Sequence, residues 1–254
     1  MIESQRQVKQ IIIASVYLLI TATIVFLIVI NLFQTTPVVT EDSPLIQSLQ
    51  VTRSGRINLE NGFADFWAEI NNPNDDFGAN NLKYSFILRN SKGEEVKRSG
   101  DTFILPGDKK KYILLLNISS EYELQGFEIA KDLEWAQLSR FNLPELVIRN
   151  TRIGDSSKAG NDFTAFGTLT NASPVNLKNI EITAVITDDK DEIIGVNKTL
   201  IRDVLTLESR DFEMTWDNEV SGSSIFNTKI YAQSNVLSNK AILIDLQRTP
   251  IFDK

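Results

Sequence analysis

Two kinds of hydrophobic pattern divide this chain. The first is an unbroken apolar run, Ile11 to Phe33, with no charged residue in 23 positions. At ~1.5 Å per residue it makes about 35 Å of helix, enough for a hydrocarbon core of roughly 30 Å with some tilt. Its many β-branched residues favour helix poorly in water, but in lipid every backbone group must bond internally. The run is longer than a signal-peptide core, and the QTTPVV that follows lacks a small-residue cleavage pattern. No amphipathic face can be drawn on it, so it does not read as a core helix. An uncleaved transmembrane anchor over residues 11–33 is expected. Asn31 and Tyr17 read as an interfacial amide and a lipid-tolerant ring, not as helix-pairing groups.

The second pattern is alternation with a period of two, and it occurs in two copies about 100 residues apart. FWAEINNPN (Phe66 to Asn74) matches AFGTLTNAS (Ala165 to Ser173), pairing Trp67 with Phe166, Ala68 with Gly167, Ile70 with Leu169 and Asn72 with Asn171. LKYSFILRNSKGEEV (Leu82 to Val96) matches IEITAVITDDKDEII (Ile180 to Ile194). Leu82, Tyr84, Phe86 and Leu88 share one face, as do Ile180, Ile182, Ala184 and Ile186. Tight turns follow at Asn90–Gly93 and Asp188–Asp191, with Gly93 suited to a left-handed position. LPGDKKKYILLL (Leu105 to Leu116) matches LTLESRDFEMTW (Leu205 to Trp216), aligning Tyr112 with Phe212.

Short alternating segments separated by turn signals predict an all-β fold of two tandem immunoglobulin-like sandwiches after one transmembrane α-helix. The expected divisions are a tail (1–10), the helix (11–33), a stalk with Pro37 and Pro44 (34–44), and sandwiches over 45–142 and 143–254. The boundary falls where Phe141-Asn142-Leu143-Pro144 interrupts the pattern. Leu237-Ser238 and Ala241 to Leu246 echo Leu138-Ser139 and Pro144 to Arg149. That stretch either completes the second sandwich or is a strand offered to a partner.

A Gly or Ala, an aliphatic and an Asn, then alternating aliphatics, a hairpin and a Leu-x-x-Gly-like turn form a recurring motif. It resembles the FxLYD-type and late-embryogenesis-abundant-type immunoglobulin-like sandwiches. The anchor with NNPN, YSFIL and FILPGDKKKYI is also similar to membrane-anchored proteins of small-genome bacteria. The resemblance spans roughly residues 1–240. It implies an extracytoplasmic sandwich and carries over no catalytic residue. In the second copy Leu207 stands where the turn Gly would be and Glu208 where the turn acid would be, a looser match.

Composition narrows the chemistry. With no Cys and no His, disulfides, thiolate sites and imidazole catalysis are excluded. The net charge is −7, but Arg6 and Lys9 against Glu3 leave residues 1–33 at +1 and the rest at −8. Basic residues before the span, and none after it until Arg53, place the N-terminus in the cytoplasm and the remainder outside. An acidic ectodomain argues against nucleic acid.

Asp188, Asp189, Asp191 and Glu192 invite a calcium reading but lack the loop spacing; a solvated turn is favoured, as for Asn74-Asp75-Asp76. Lys109-Lys110-Lys111 is read as edge protection rather than a lipid-headgroup site. Asn117, Asn171 and Asn197 begin glycosylation-like tripeptides that arise often by chance. Trp67, Trp135 and Trp216 are read as core residues. No catalytic, cofactor or metal residue is nominated, and no enzyme is expected. The favoured function is an envelope scaffold or protein-interaction module, with a secretion, pilus or division assembly as the setting considered. The expected partners are the bilayer and an envelope protein, with no nucleic acid and no small-molecule substrate. The alternative is a surface adhesion or ligand-binding protein.

Overall fold

The computed structural model describes residues 13–26, 45–59, 62–138, 143–155, 163–216 and 227–238. The expected tail (1–10), stalk (34–44) and C-terminal strand (241–246) lie outside the described residues, as do both ends of the expected span. The chain forms two compact units, Met1–Leu45 and Ile46–Lys254. In the first, residues 13–26 are helical and exposed. Thr21 and Thr23 donate their hydroxyls back to the carbonyls of Tyr17 (2.5 Å) and Leu19 (2.8 Å), so neither needs an outside partner. Among the described residues no helix is long and apolar enough to cross a membrane.

The described residues of the second unit form strands and their connections, with no helix. Sheet A is ordered β1 (Gln50–Asn58), β2 (Phe63–Asn71), β5 (Lys111–Ser119). Sheet B is ordered β4 (Glu95–Ile104), β3 (Phe77–Asn90), β6 (Tyr122–Ile129), with β7 (Trp135–Gln137) also on β3. Sheet C is β12 (Ser209–Trp216), β9 (Phe163–Asn171), β8 (Leu146–Asp155), and sheet D is β11 (Ile193–Val204), β10 (Leu177–Thr187), β13 (Asn227–Gln233). The second set repeats β1 to β6 of the first strand for strand, β7 having no counterpart among the described residues, and every pairing is antiparallel.

Alternation places a core between each pair of sheets. Ala64, Phe66, Ala68 and Ile70 of β2 meet Leu82, Phe86 and Leu88 of β3. Phe163, Ala165 and Leu169 of β9 meet Ile180, Ile182, Ala184 and Ile186 of β10. Each core is pinned by one asparagine that is 0% exposed. Asn72 donates its amide to the carbonyls of Phe77 (2.7 Å) and Leu105 (2.8 Å), while its oxygen accepts the Asn74 N–H at 3.0 Å. Asn171 does the same with Val175 (2.8 Å), Leu205 (3.2 Å) and the Ser173 N–H (3.1 Å). One amide thus ties the end of a strand in one sheet to a loop and a turn of the other, pairing two of their carbonyls.

The hairpin tips also correspond. Asn90 Oδ1 accepts the N–H groups of Lys92 and Glu94, and Asp188 Oδ1 those of Lys190 and Glu192. Gly93 and Asp191 take the left-handed position, at φ 82° and 62°. In the next turn Asp108 and Glu208 each cap the N–H of the leucine three residues earlier, at 2.9 and 2.7 Å. Leu207 adopts φ 62° where Gly107 has 66°, so the looser second copy keeps the same turn with a side chain in a sterically disfavoured backbone region.

The alignment of Tyr112 with Phe212 needs correcting. Ile70 lies opposite Lys111, and Leu169, its counterpart, lies opposite Arg210. The true partners are therefore Tyr112 with Asp211 and Ile113 with Phe212. Two residues, Lys109 and Lys110, separate the turn acid from this register position in the first copy, but only Ser209 does in the second. A one-residue slip exchanges the faces of a strand. Phe212 accordingly fills a core, while Tyr112 points out of its own.

Replacing Asn72 or Asn171 by Ala removes the amide donor of two carbonyls that are buried or part-buried, at about 1–3 kcal/mol in all. Thermal melts should show a loss of that order for either variant. A change within about 0.5 kcal/mol would mean the staple is dispensable.

Candidate functional site

In the second unit the feature that sets one copy apart from the other is the outer face of sheet A. Strand β2 is buried from Ala64 to Ile70 on both faces. Its outward residues enter a third apolar cluster, in which Ile57, Trp67, Tyr112 and Leu114 of sheet A meet Val185, Ile193 and Val196 of sheet D, with Tyr231 packed against them. The Tyr112 and Tyr231 rings lie 5.6 Å apart. Gly55 is opposite Trp67, and a Cβ there would lie 2.8 Å from the indole, so only glycine leaves room for the ring. The two sheet pairs thus share a joint with a core of its own.

Two polar clasps flank that core. In the first, Glu69, with its side chain only 5% exposed, accepts from Thr52 Oγ1 (2.6 Å), Tyr112 Oη (2.7 Å) and Arg53 (3.0 Å). Arg53 then reaches the Asp191 carbonyl at 3.1 Å and its carboxylate at 3.6 Å. Burial pushes the Glu69 carboxyl up, but the bonds from Thr52, Tyr112 and Arg53 outweigh it and hold it below the ordinary value. Burial, then the bond to Glu69, pushes the Tyr112 phenol far up.

In the second clasp Lys111, 4% exposed, donates to Glu181 Oε2 and Gln233 Oε1, both at 3.0 Å, with its ammonium 3.8 Å from the centre of the Phe103 ring. Gln233 donates to Asp108 Oδ1 at 2.7 Å. Burial raises the Asp108 carboxyl to about 6, against the opposing pull of the Leu105 N–H, Lys111 and Gln233.

The two clasps lie close together on sheet A and far apart in the sequence of the other side. Arg53, Glu69 and Lys111 lie nearly side by side across sheet A. Arg53 meets Asp191 in the hairpin after β10, and Lys111 meets Glu181 on β10 itself.

The residues singled out by sequence scatter among different roles. Lys111 is no edge guard: it is buried in the joint, and only Lys109 of the triplet is fully exposed. Asp188 caps a turn and Asp191 meets Arg53, and no group of three carboxylates among the described residues could hold a metal ion. Asn74 joins Asn72 and bonds Gln47, anchoring the chain where it enters the fold. Asn171 has its amide committed in the core, whereas Asn117 is exposed at φ 58°. Trp216 fills the second core, Trp67 the joint, and Trp135 is half-buried on β7.

No protein-family model matches the chain, and no curated relative matches it in sequence. Among solved structures it is similar to red sea bream transglutaminase, at 14% identity and TM-score 0.23, over 74% of this chain and 29% of that one. A Bacteroides uniformis beta-glucuronidase 2 gives 11% identity and TM-score 0.21, over 67% and 26% of the two chains. The calcium-binding domain CBD12 of CALX1.1 gives 10% and 0.20, over 72% and 79%. The chain thus spans under a third of the first two, and likenesses this remote carry no argument about activity.

Two outcomes test the joint. Trp67→Ala should cost roughly 3–5 kcal/mol, as for a buried Trp, whereas Phe166→Ala at the equivalent, 43% exposed position should change stability by under about 1 kcal/mol. Comparable losses in the two melts would contradict the asymmetry. The second outcome is a pH slope. Folded Asp108 keeps its proton up to about 6 while the unfolded chain releases it near 3.8, so the folded state binds more protons between those values. Its contribution to stability falls as pH rises across that window. Asp108→Asn should flatten the slope there, and an unchanged slope would remove Asp108 as its source.

Proposed function

We propose that this protein is a single-pass membrane-anchored scaffold of the cell envelope, whose two immunoglobulin-like sandwiches act as one preset body on which an envelope protein assembles. The joint carries this reading: an apolar centre with two charged clasps holds the sandwiches at one angle, as a spacer or docking frame requires and as beads on a flexible linker do not. In keeping with an anchor, the helical residues 13–26 are apolar, exposed and free of ionisable side chains apart from the phenol of Tyr17. The basic residues Arg6 and Lys9 before the span, with no Lys or Arg after it until Arg53, favour an inside N-terminus. The turn and asparagine pattern favours kinship with FxLYD-like sandwiches. A non-enzymatic role goes with this reading.

Photo-crosslinking of the full chain in its native membrane tests the function. A reproducible envelope protein that is captured by the wild type and lost with Trp67→Ala is expected. Binding to glycans or to other cells, with no membrane partner, would replace this reading by adhesion. Protease added outside the cytoplasmic membrane should release fragments of residues 45–254, and full protection of them would reverse the orientation.

A further inference from the structure

Because the two sheet pairs repeat strand for strand, every residue of the joint has a counterpart on a free face. Sheet C corresponds to the docking face A, and sheet B to the receiving face D. Trp67 and Leu114 lie opposite each other in sheet A, and Phe166 and Glu213 do so in sheet C. Glu69 opposite Tyr112 becomes Thr168 opposite Asp211, whose side chains bond each other at 2.8 Å. On the receiving side, Val185 opposite Val196 becomes Ile87 opposite Lys97, and Thr183 opposite Tyr231 becomes Ser85 opposite Glu128.

The clasp shows the change most clearly. In the first copy the turn acid Asp108 and the base Lys111 both reach across to the neighbouring sheet pair. In the second, the equivalent Glu208 and Arg210 bond each other at 2.6 Å, and Arg210 also donates to the Asp203 carbonyl. The same two charges are turned inward and satisfied locally.

A second copy approaching sheet C with its sheet B, in the geometry of the internal joint, would also meet like charges. Lys111 against Glu181 would become Arg210 against Lys83. Tyr112 against Tyr231 would become Asp211 against Glu128. Like charges placed in contact select against a partner, and a head-to-tail contact that does not close would otherwise grow into a filament.

We infer that sheet C is a sealed copy of the docking face, and that sheets B and C together bar this chain from joining its own copies head to tail. The unit is a terminated pair, and any assembly partner must use a geometry other than that of the joint.

Sedimentation of the full chain in detergent micelles tests this. Wild type and Phe166→Asp should sediment alike. A chain combining Asp211→Tyr, Glu213→Leu and Lys83→Glu restores apolar and charge complementarity at faces that are exposed in the wild type. It should self-associate at least tenfold more tightly than either parent altered on one face alone. Wild-type oligomers abolished by Phe166→Asp, or a combined variant no more associated than wild type, would overturn the inference.

Discussion

The structure depends on one constraint: strand β2 serves two interiors at once. A strand buried on a single face can mix apolar and polar residues by simple alternation. A strand buried on both must either be apolar throughout or find a partner for every polar group it carries. β2 takes the second course with its two carboxylates, although the buried Trp67 Nε1–H has no partner among the described residues. Glu69 lies under sheet D with Thr52, Tyr112 and Arg53 all donating to it, and Asp65 accepts the Asn117 N–H at 2.9 Å. Buried ion pairs add little net stability, because desolvation offsets most of their attraction, but an unpaired one is heavily penalised. The Trp67, Tyr112 and Leu114 surface therefore supplies the driving force. The clasps penalise every other angle between the sheets.

How much of this was visible in the sequence depends on the distance over which each feature is determined. The cores were legible, because alternation in LKYSFIL and IEITAVI reports directly which side chains face inward. The hairpins and the asparagine ends were legible too, since a turn is decided within four or five residues. The joint was not. Its partners are separated by 70 to 138 positions, and outward residues of a strand look the same whether they meet solvent or another sheet. A signal did exist: Trp67, Tyr112, Leu114, Val185, Ile193 and Val196 are apolar at outward positions whose counterparts in the other copy are largely polar. The one-residue difference around Lys109 and Lys110 hid it, by aligning outward Tyr112 with inward Phe212. The lysine triplet misled for a related reason. A strand-end lysine suggests an edge, and nothing local discloses that Glu181 and Gln233 will cover it.

The repeat is thus more informative where it fails than where it holds. Matching positions such as Asn72 and Asn171 report what any sandwich of this type needs to close. Diverging positions, Glu69 against Thr168 or Lys111 against Arg210, report what one sandwich does for the other. Copies that have specialised in this way differ from an array of equivalent beads.

The left-handed position of the two hairpins is supported differently in the two copies. Gly93 adopts it at no steric cost, so the first hairpin can close from local interactions alone. Asp191 adopts it with a side chain present, and it is that same residue whose backbone carbonyl and carboxylate receive Arg53, 138 positions earlier. The tip is also capped from within, Asp188 Oδ1 accepting the Lys190 and Glu192 N–H groups. The first hairpin tip is thus held by its own turn, while the second is fastened as well to a residue near the start of the fold. A change at Arg53 would therefore be felt in a turn 138 positions away.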